Sequence, residues 1–132
     1  MNIKDELQDY YIKKMRLEKT KYEIAILEDS IKRIEERAKK ENVESNKSLE
    51  ELIKDKKIKV LTKTIESEEI MSEIAGLEYC ISELDEKDRL LLEYKFNKKY
   101  FDKDIQQEMN MSRSTIYRKI MRITDRIEQA LI

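Results

Sequence analysis

The stretch Phe101-Asp-Lys-Asp-Ile-Gln-Gln-Glu-Met-Asn-Met-Ser-Arg-Ser-Thr-Ile-Tyr-Arg-Lys-Ile120 decides the reading of this chain. Its pattern predicts helix, tight turn, helix. Asp102 is placed to cap a short first helix that carries Ile105 and Met109 on one side. Asn110 follows where a left-handed residue is wanted, and Asn takes that conformation more readily than most non-glycine residues. Ser112 then caps a second helix by accepting from its free N–H groups. Ile116, Ile120, Ile123, Ile127 and Leu131 recur at helical spacing along it. Ser114, Arg118, Met121 and Arg122 fall opposite. A capped helix that buries one side and offers Ser, Tyr and Arg on the other has the chemistry of a major-groove reader.

The surrounding composition supports an all-α chain. Of 132 residues, 43% are charged; there is one Gly and no Pro. Sheets need turns, and turns recruit Gly, Pro, Asn and Asp. A chain rich in Glu, Lys, Leu and Ile with almost no turn residues is therefore mostly long helices, with much of its charge on solvated faces. His is absent, which removes the usual general base and the commonest metal ligand. The lone Cys80 has no partner for an internal disulfide or a cysteine metal cluster, and reads as a small packed thiol. No Gly-rich phosphate loop is present. We therefore expect no enzyme, no cofactor and no metal. The N-terminus lacks a charged-then-apolar leader pattern, and no apolar run approaches the ~20 residues that span a bilayer. The expected location is the cytoplasm of a bacterial host cell, with no membrane partner.

Outward from the decisive stretch, the chain divides into an arm, residues 1–84, and a C-terminal unit, residues 85–132. Ile3, Tyr10, Leu17, Ile24, Ile31 and Ala38 recur every seven residues and predict one long helix from residue 3 to about 40. Leu7, Leu27 and Ile34 extend its stripe. Lys13 or Lys14, Thr20 and Lys21 interrupt it, so it reads as half of a helical hairpin rather than an autonomous zipper. Tyr10, Tyr11 and Tyr22 are expected to pack between helices. Residues 41–48 read as a break, because Asn42, Ser45, Asn46 and Ser48 favour caps and turns. Ser48 with Glu51 fits a capping box. A second long helix then runs to about Leu84. Its stripe is Leu49, Ile53, Val60, Leu61 and Ile65, then Ile70, Ile74, Leu77, Ile81 and Leu84, with a phase shift near Ser67. Whether the two long helices pair within one chain or between chains stays open. The Asp85-Glu-Lys-Asp88 run suits a helix N-terminus. Leu90, Leu91, Leu92, Tyr94 and Phe96 give that helix its apolar side, and Asn97-Lys98-Lys99 reads as a turn.

Within the C-terminal unit, Leu90 to Leu92, Tyr94, Tyr100, Ile105, Met109, Ser112, Thr115, Ile116, Ile120 and Arg122 form a pattern that resembles region 4 of the sigma-70 class of bacterial sigma factors. The resemblance covers about a third of the chain. Gln106 stands where that family usually has a small residue, Asn110 where it has Gly, and Tyr117 where it has a polar or basic residue. Together with the coiled-coil-like first half, the layout resembles the small late-gene transcriptional regulators of phages and prophages, the RinA and ArpU type. The resemblance implies a fold in which a long helical hairpin or coiled-coil arm is followed by a C-terminal helix-turn-helix. It implies regulation of late operons through promoter DNA, with RNA polymerase as a further partner. No counterpart of sigma region 2 is present, so the chain should not act as a complete sigma factor.

Arg113, Arg118, Lys119, Arg122 and Arg126 crowd five cations into fourteen residues of the second helix of the pattern, against Asp125. Ser114, Tyr117, Arg118 and Arg122 are the expected base contacts, since Arg grips guanine bidentately. Ser112, Arg113, Thr115 and Lys119, with Lys98, Lys99 and Lys103, are the expected backbone contacts, which position without specifying. The charge is modest: residues 1–84 carry 17 cations against 20 anions, and residues 85–132 carry 11 against 9. Affinity for double-stranded DNA is then expected to need self-association, as a homodimer or higher oligomer through residues 3–84. Lys54, Lys56, Lys57, Lys59 and Lys63 read as a solvated helix face. Two rival functions fit the same composition. One is a DNA-packaging adaptor of the small terminase kind, in which the DNA-binding unit usually comes first. The other is an interaction protein that has lost DNA binding and docks on RNA polymerase or a repressor.

Overall fold

The computed structural model describes residues 2–40 and 47–132. Among them every regular element is helical. Five α-helices are α1 (Ile3–Lys40), α2 (Lys47–Ser82), α3 (Glu86–Leu92), α4 (Asp102–Met109) and α5 (Arg113–Leu131), with a single π turn at Glu93–Asn97 between α3 and α4. No helix is long and apolar enough to cross a membrane, among the described residues.

The heptad stripe gives α1 the bounds read from it. Asn2 caps its start, its side-chain oxygen accepting from the N–H of Lys4 at 3.1 Å and, more weakly, of Asp5 at 3.4 Å. The expected break falls mostly at residues 41–46, which lie outside the described residues. The capping box at Ser48 is corrected: α2 already begins at Lys47, which puts Ser48 in its first turn. At its other end α2 stops at Ser82, and Leu84 is buried in the link to α3.

The chain forms two compact units, Met1–Lys14 with Glu73–Ile132, and Met15–Ser72. In the second unit α1 and α2 run antiparallel within one chain. Arg16 pairs with Glu66 at 3.6 Å, Lys63 with Glu23, and Lys57 with Glu35 at 3.5 Å, so rising numbers on one helix meet falling numbers on the other. Part of the basic run on α2 is thereby matched to carboxylates of α1. Leu17, Thr20 and Ile31 of α1 and Ser67 of α2 are buried. Ile24, Leu27, Ile34 and Ile53 are half-buried, while Tyr22, Leu61 and Ile65, also expected in the core, are at least half exposed, Tyr22 at 68%. The α2 seam runs instead through Val60, Thr64 and Ser67, one residue out of phase with Leu61 and Ile65. A helix turns 100° per residue, so this slip moves them off the contact.

The first unit holds the larger core. Leu7, Tyr10 and Tyr11 from α1, Ile74 and Ile81 from α2, Leu91 and Leu92 from α3, Phe96 from the π turn, Ile105 from α4 and four isoleucines of α5 are buried. Leu90, expected with them, is exposed on the outer side of α3. Tyr10 donates to Glu78 of α2, and Lys13 bridges Asp9 at 2.9 Å and Glu73 at 3.1 Å. Burial, then the Glu78 carboxylate, holds the Tyr10 phenol well above its ordinary range; burial with Glu93 does the same for Tyr11. Cys80 is a free, half-buried thiol. At Gly76 the C-terminal end of α5 comes close: a Cβ there would lie 3.2 Å from Leu131 Cδ2.

Candidate nucleic-acid interface

Two helix ends place α5. The first is the C-terminus of α4. Asn110 adopts φ 50°, ψ 49°, the left-handed conformation, and its N–H donates to the Gln106 carbonyl. The N–H of Met111 also reaches Gln106, at 3.2 Å, the six-to-one bond of a Schellman ending. The second is the N-terminus of α5. Ser112 is extended, and its hydroxyl accepts from the N–H of Thr115 at 3.3 Å while sharing a 2.8 Å bond with the Thr115 hydroxyl. Three residues, Asn110 to Ser112, therefore connect α4 to α5. The cap of α4 differs from expectation. Phe101 is its cap residue and makes no side-chain bond, because Asp102 is already helical. The Asp102 carboxylate instead holds Lys95 at 3.2 Å and Arg113 at 3.7 Å.

Burial fixes which side of α5 faces out. Ile116, Ile120, Ile123, Thr124 and Ile127 are buried against α3 and α4. The Thr124 hydroxyl satisfies itself on the Ile120 carbonyl at 2.8 Å. Opposite this stripe Ser114, Arg118 and Arg122 are exposed, with Tyr117 exposed at their side. These are the four expected base contacts, and one helix brings them together. Their circumstances differ. Arg118 makes only a 3.5 Å approach to the Thr115 hydroxyl one turn back. Arg122 donates at 3.3 Å to Asp88, a residue only 7% exposed, and so ties α5 to α3.

The expected backbone contacts are more scattered. Ser112 and Arg113 are exposed at the start of α5, whereas Thr115 and Lys119 are half-buried. Lys98 and Lys99 follow the π turn. Tyr94 and Tyr100 stack there with ring centres 5.1 Å apart, and Lys98 Nζ sits 5.4 Å from one ring and 5.8 Å from the other. Lys99 has φ 54°, a left-handed residue that ends the segment. Lys103 lies exposed on α4. Sequence reasoning missed Asp88, which an acidic helix start disguises as a solvated residue. It also missed Lys4 and Lys95. With Asp102 and Arg113 they line a cavity of about 180 Å³ beside α5, and nothing in the local pattern joins residue 4 to residue 95.

Among the described residues no group of three or more His, Cys, Asp or Glu could hold a metal ion. The arrangement can present hydrogen-bond donors and cations along a rigid helix. Comparison with family models, curated proteins and solved structures finds no match for this chain.

Proposed function

We propose that this chain is a sequence-specific DNA-binding regulator of transcription whose reading element is α5, in a helix-turn-helix of the sigma region 4 kind. Control of a phage or prophage operon in the bacterial cytoplasm is the setting that the sequence resemblance suggests. One observation carries the proposal. Ser114, Arg118 and Arg122 form an exposed donor row opposite a fully buried isoleucine stripe, on a helix held by caps at both ends of a three-residue turn. A helix of this width fits the major groove, and Arg with Ser are the side chains that read base edges there.

Self-association through the α1–α2 arm is part of the proposal. Met15, Tyr22 and Ile26 on α1, and Ile58, Leu61 and Ile65 on α2, are exposed at spacings of three, four and seven residues, the repeat that packs one helix on a like partner. A two-fold assembly would set two copies of α5 on paired half-sites. A second reading, docking on RNA polymerase or a repressor, draws on Phe101, which is 81% exposed beside α4.

Selection of random duplexes by the purified protein tests the first reading. Enrichment of a motif, lost in Arg118→Ala, is the expected result. Binding of RNA polymerase without enrichment of any duplex would sustain the second.

A further inference from the structure

The cavity beside α5 draws its walls from four elements: Lys4 from the first turn of α1, Lys95 from the π turn, and Asp102 and Arg113 from the two helices around Asn110. Its apolar floor is Ile116 and Ile120, both buried, and exposed Tyr117 and Met121 form part of its rim. Three cations surround one carboxylate, so the cavity carries an excess of two positive charges. At about 180 Å³ it is smaller than the roughly 300–1,000 Å³ of typical small-molecule sites, which favours a single small anionic group over a metabolite. The Arg113–Asp102 separation of 3.7 Å is too long for a hydrogen bond, so the guanidinium donors stay open to a better acceptor.

We infer that this cavity grips one phosphate of the DNA backbone, with Lys4, Lys95 and Arg113 as donors and Asp102 as the internal counter-ion of the free protein. The inference rests on the DNA reading above and adds to it a second anchor, supplied in part by α1. Incoming phosphate takes over Arg113 and Lys95 from Asp102, while Tyr117 and Met121 offer apolar surface to the adjoining sugar. Because phosphate carries no base identity, the anchor raises affinity for every sequence equally.

The test is a salt titration of binding to two duplexes, one carrying the enriched motif and one unrelated, followed by fluorescence anisotropy. Lys4→Gln combined with Lys95→Gln is expected to weaken both duplexes by the same factor, about tenfold. It should also make the slope of log affinity against log salt shallower by about one. Asp102→Asn should strengthen both. The charge-keeping pair Lys4→Arg with Lys95→Arg should restore the slope, and Lys32→Gln with Lys39→Gln, both on exposed parts of α1, matches the change in net charge. If the wild type binds but the Lys4/Lys95 pair behaves like the Lys32/Lys39 pair, the anchor is wrong and the DNA reading stands. If the wild type binds neither duplex, the DNA reading itself fails and the anchor fails with it.

Discussion

Arg118 and Arg122 occupy equivalent places in the sequence pattern, one helical turn apart, and the fold gives them different duties. Arg122 neutralises Asp88, whose carboxylate is nearly withdrawn from water. Removing the guanidinium leaves that carboxylate without its cation. Because the Arg122 side chain is itself mostly exposed, the cost is well below that of a fully buried pair, about 1 kcal/mol. Arg118 has no comparable anchor, so Arg118→Ala should change stability by less than about 0.5 kcal/mol. On an enriched duplex the order reverses: Arg118→Ala should lose about 1–3 kcal/mol of binding if it grips a base. Urea unfolding and anisotropy on the same two variants separate the duties, and equal urea midpoints would remove the structural role given to Arg122. Asn110 makes a second residue-scale case. Its left-handed backbone costs an L-residue roughly 1–2 kcal/mol, and Asn bears that cost better than Ala. Asn110→Ala should therefore lower stability by about 1 kcal/mol, read as a shift of the urea midpoint at constant slope.

Elements show where sequence suffices and where it does not. The bounds of α1 and the turn between α4 and α5 were legible because each depends on neighbours: a seven-residue stripe in one case, Asn110 and Ser112 in the other. The π turn at Glu93–Asn97 was not, since one extra residue in a helix leaves the apolar spacing of Leu91, Leu92 and Phe96 almost unchanged. The outward rotation of Leu61 and Ile65 was missed because two rival stripes share α2, and only contact with α1 selects between them. The cavity around Asp102 was invisible for a related reason, since its cations come from helices far apart in sequence. Gly76 lies inside α2, where Gly costs up to about 1 kcal/mol relative to Ala. The atom its new Cβ would press is the tip of Leu131, half-buried near the end of α5 and able to yield. Gly76→Ala should thus raise the urea midpoint. No gain would mean that the end of α5 is held more firmly than its exposure suggests. The pairing of Tyr10 with Glu78 sets the alkaline limit. Below pH ~10 the phenol is neutral in both folded and unfolded chains. As pH rises past that value the unfolded chain ionises Tyr10 while the folded chain, with its phenol pushed upward by burial and Glu78, does not. Stability is therefore intact below about pH 10 and falls above it. The drop in urea midpoint between pH 8 and pH 11 should be smaller for Tyr10→Phe than for the wild type.

At the scale of the whole molecule, charge and apolar surface point to different partners. Residues 85–132 carry an excess of only two cations, and the full chain has a net charge of −1. Coulomb attraction of that size gives a single copy little hold on DNA, since affinity scales with the number of phosphates neutralised. Meanwhile the long helices leave large apolar side chains in water, Leu61 at 61% exposure among them, beyond what the α1–α2 pairing covers. Association through these stripes would bury them and double the number of phosphate contacts at once, with the second copy bound at the raised effective concentration of a linked site. Light scattering is then expected to give a mass at a multiple of 16.0 kDa. Leu61→Glu with Ile65→Glu should return it to the single-chain value while leaving the helical circular dichroism in place, because both side chains lie outside the α1–α2 contact. The same double variant should bind a single half-site as the wild type does and lose its advantage on paired half-sites. A wild-type mass near 16.0 kDa, or a double variant that keeps the wild-type mass, would remove self-association through these stripes from the proposal.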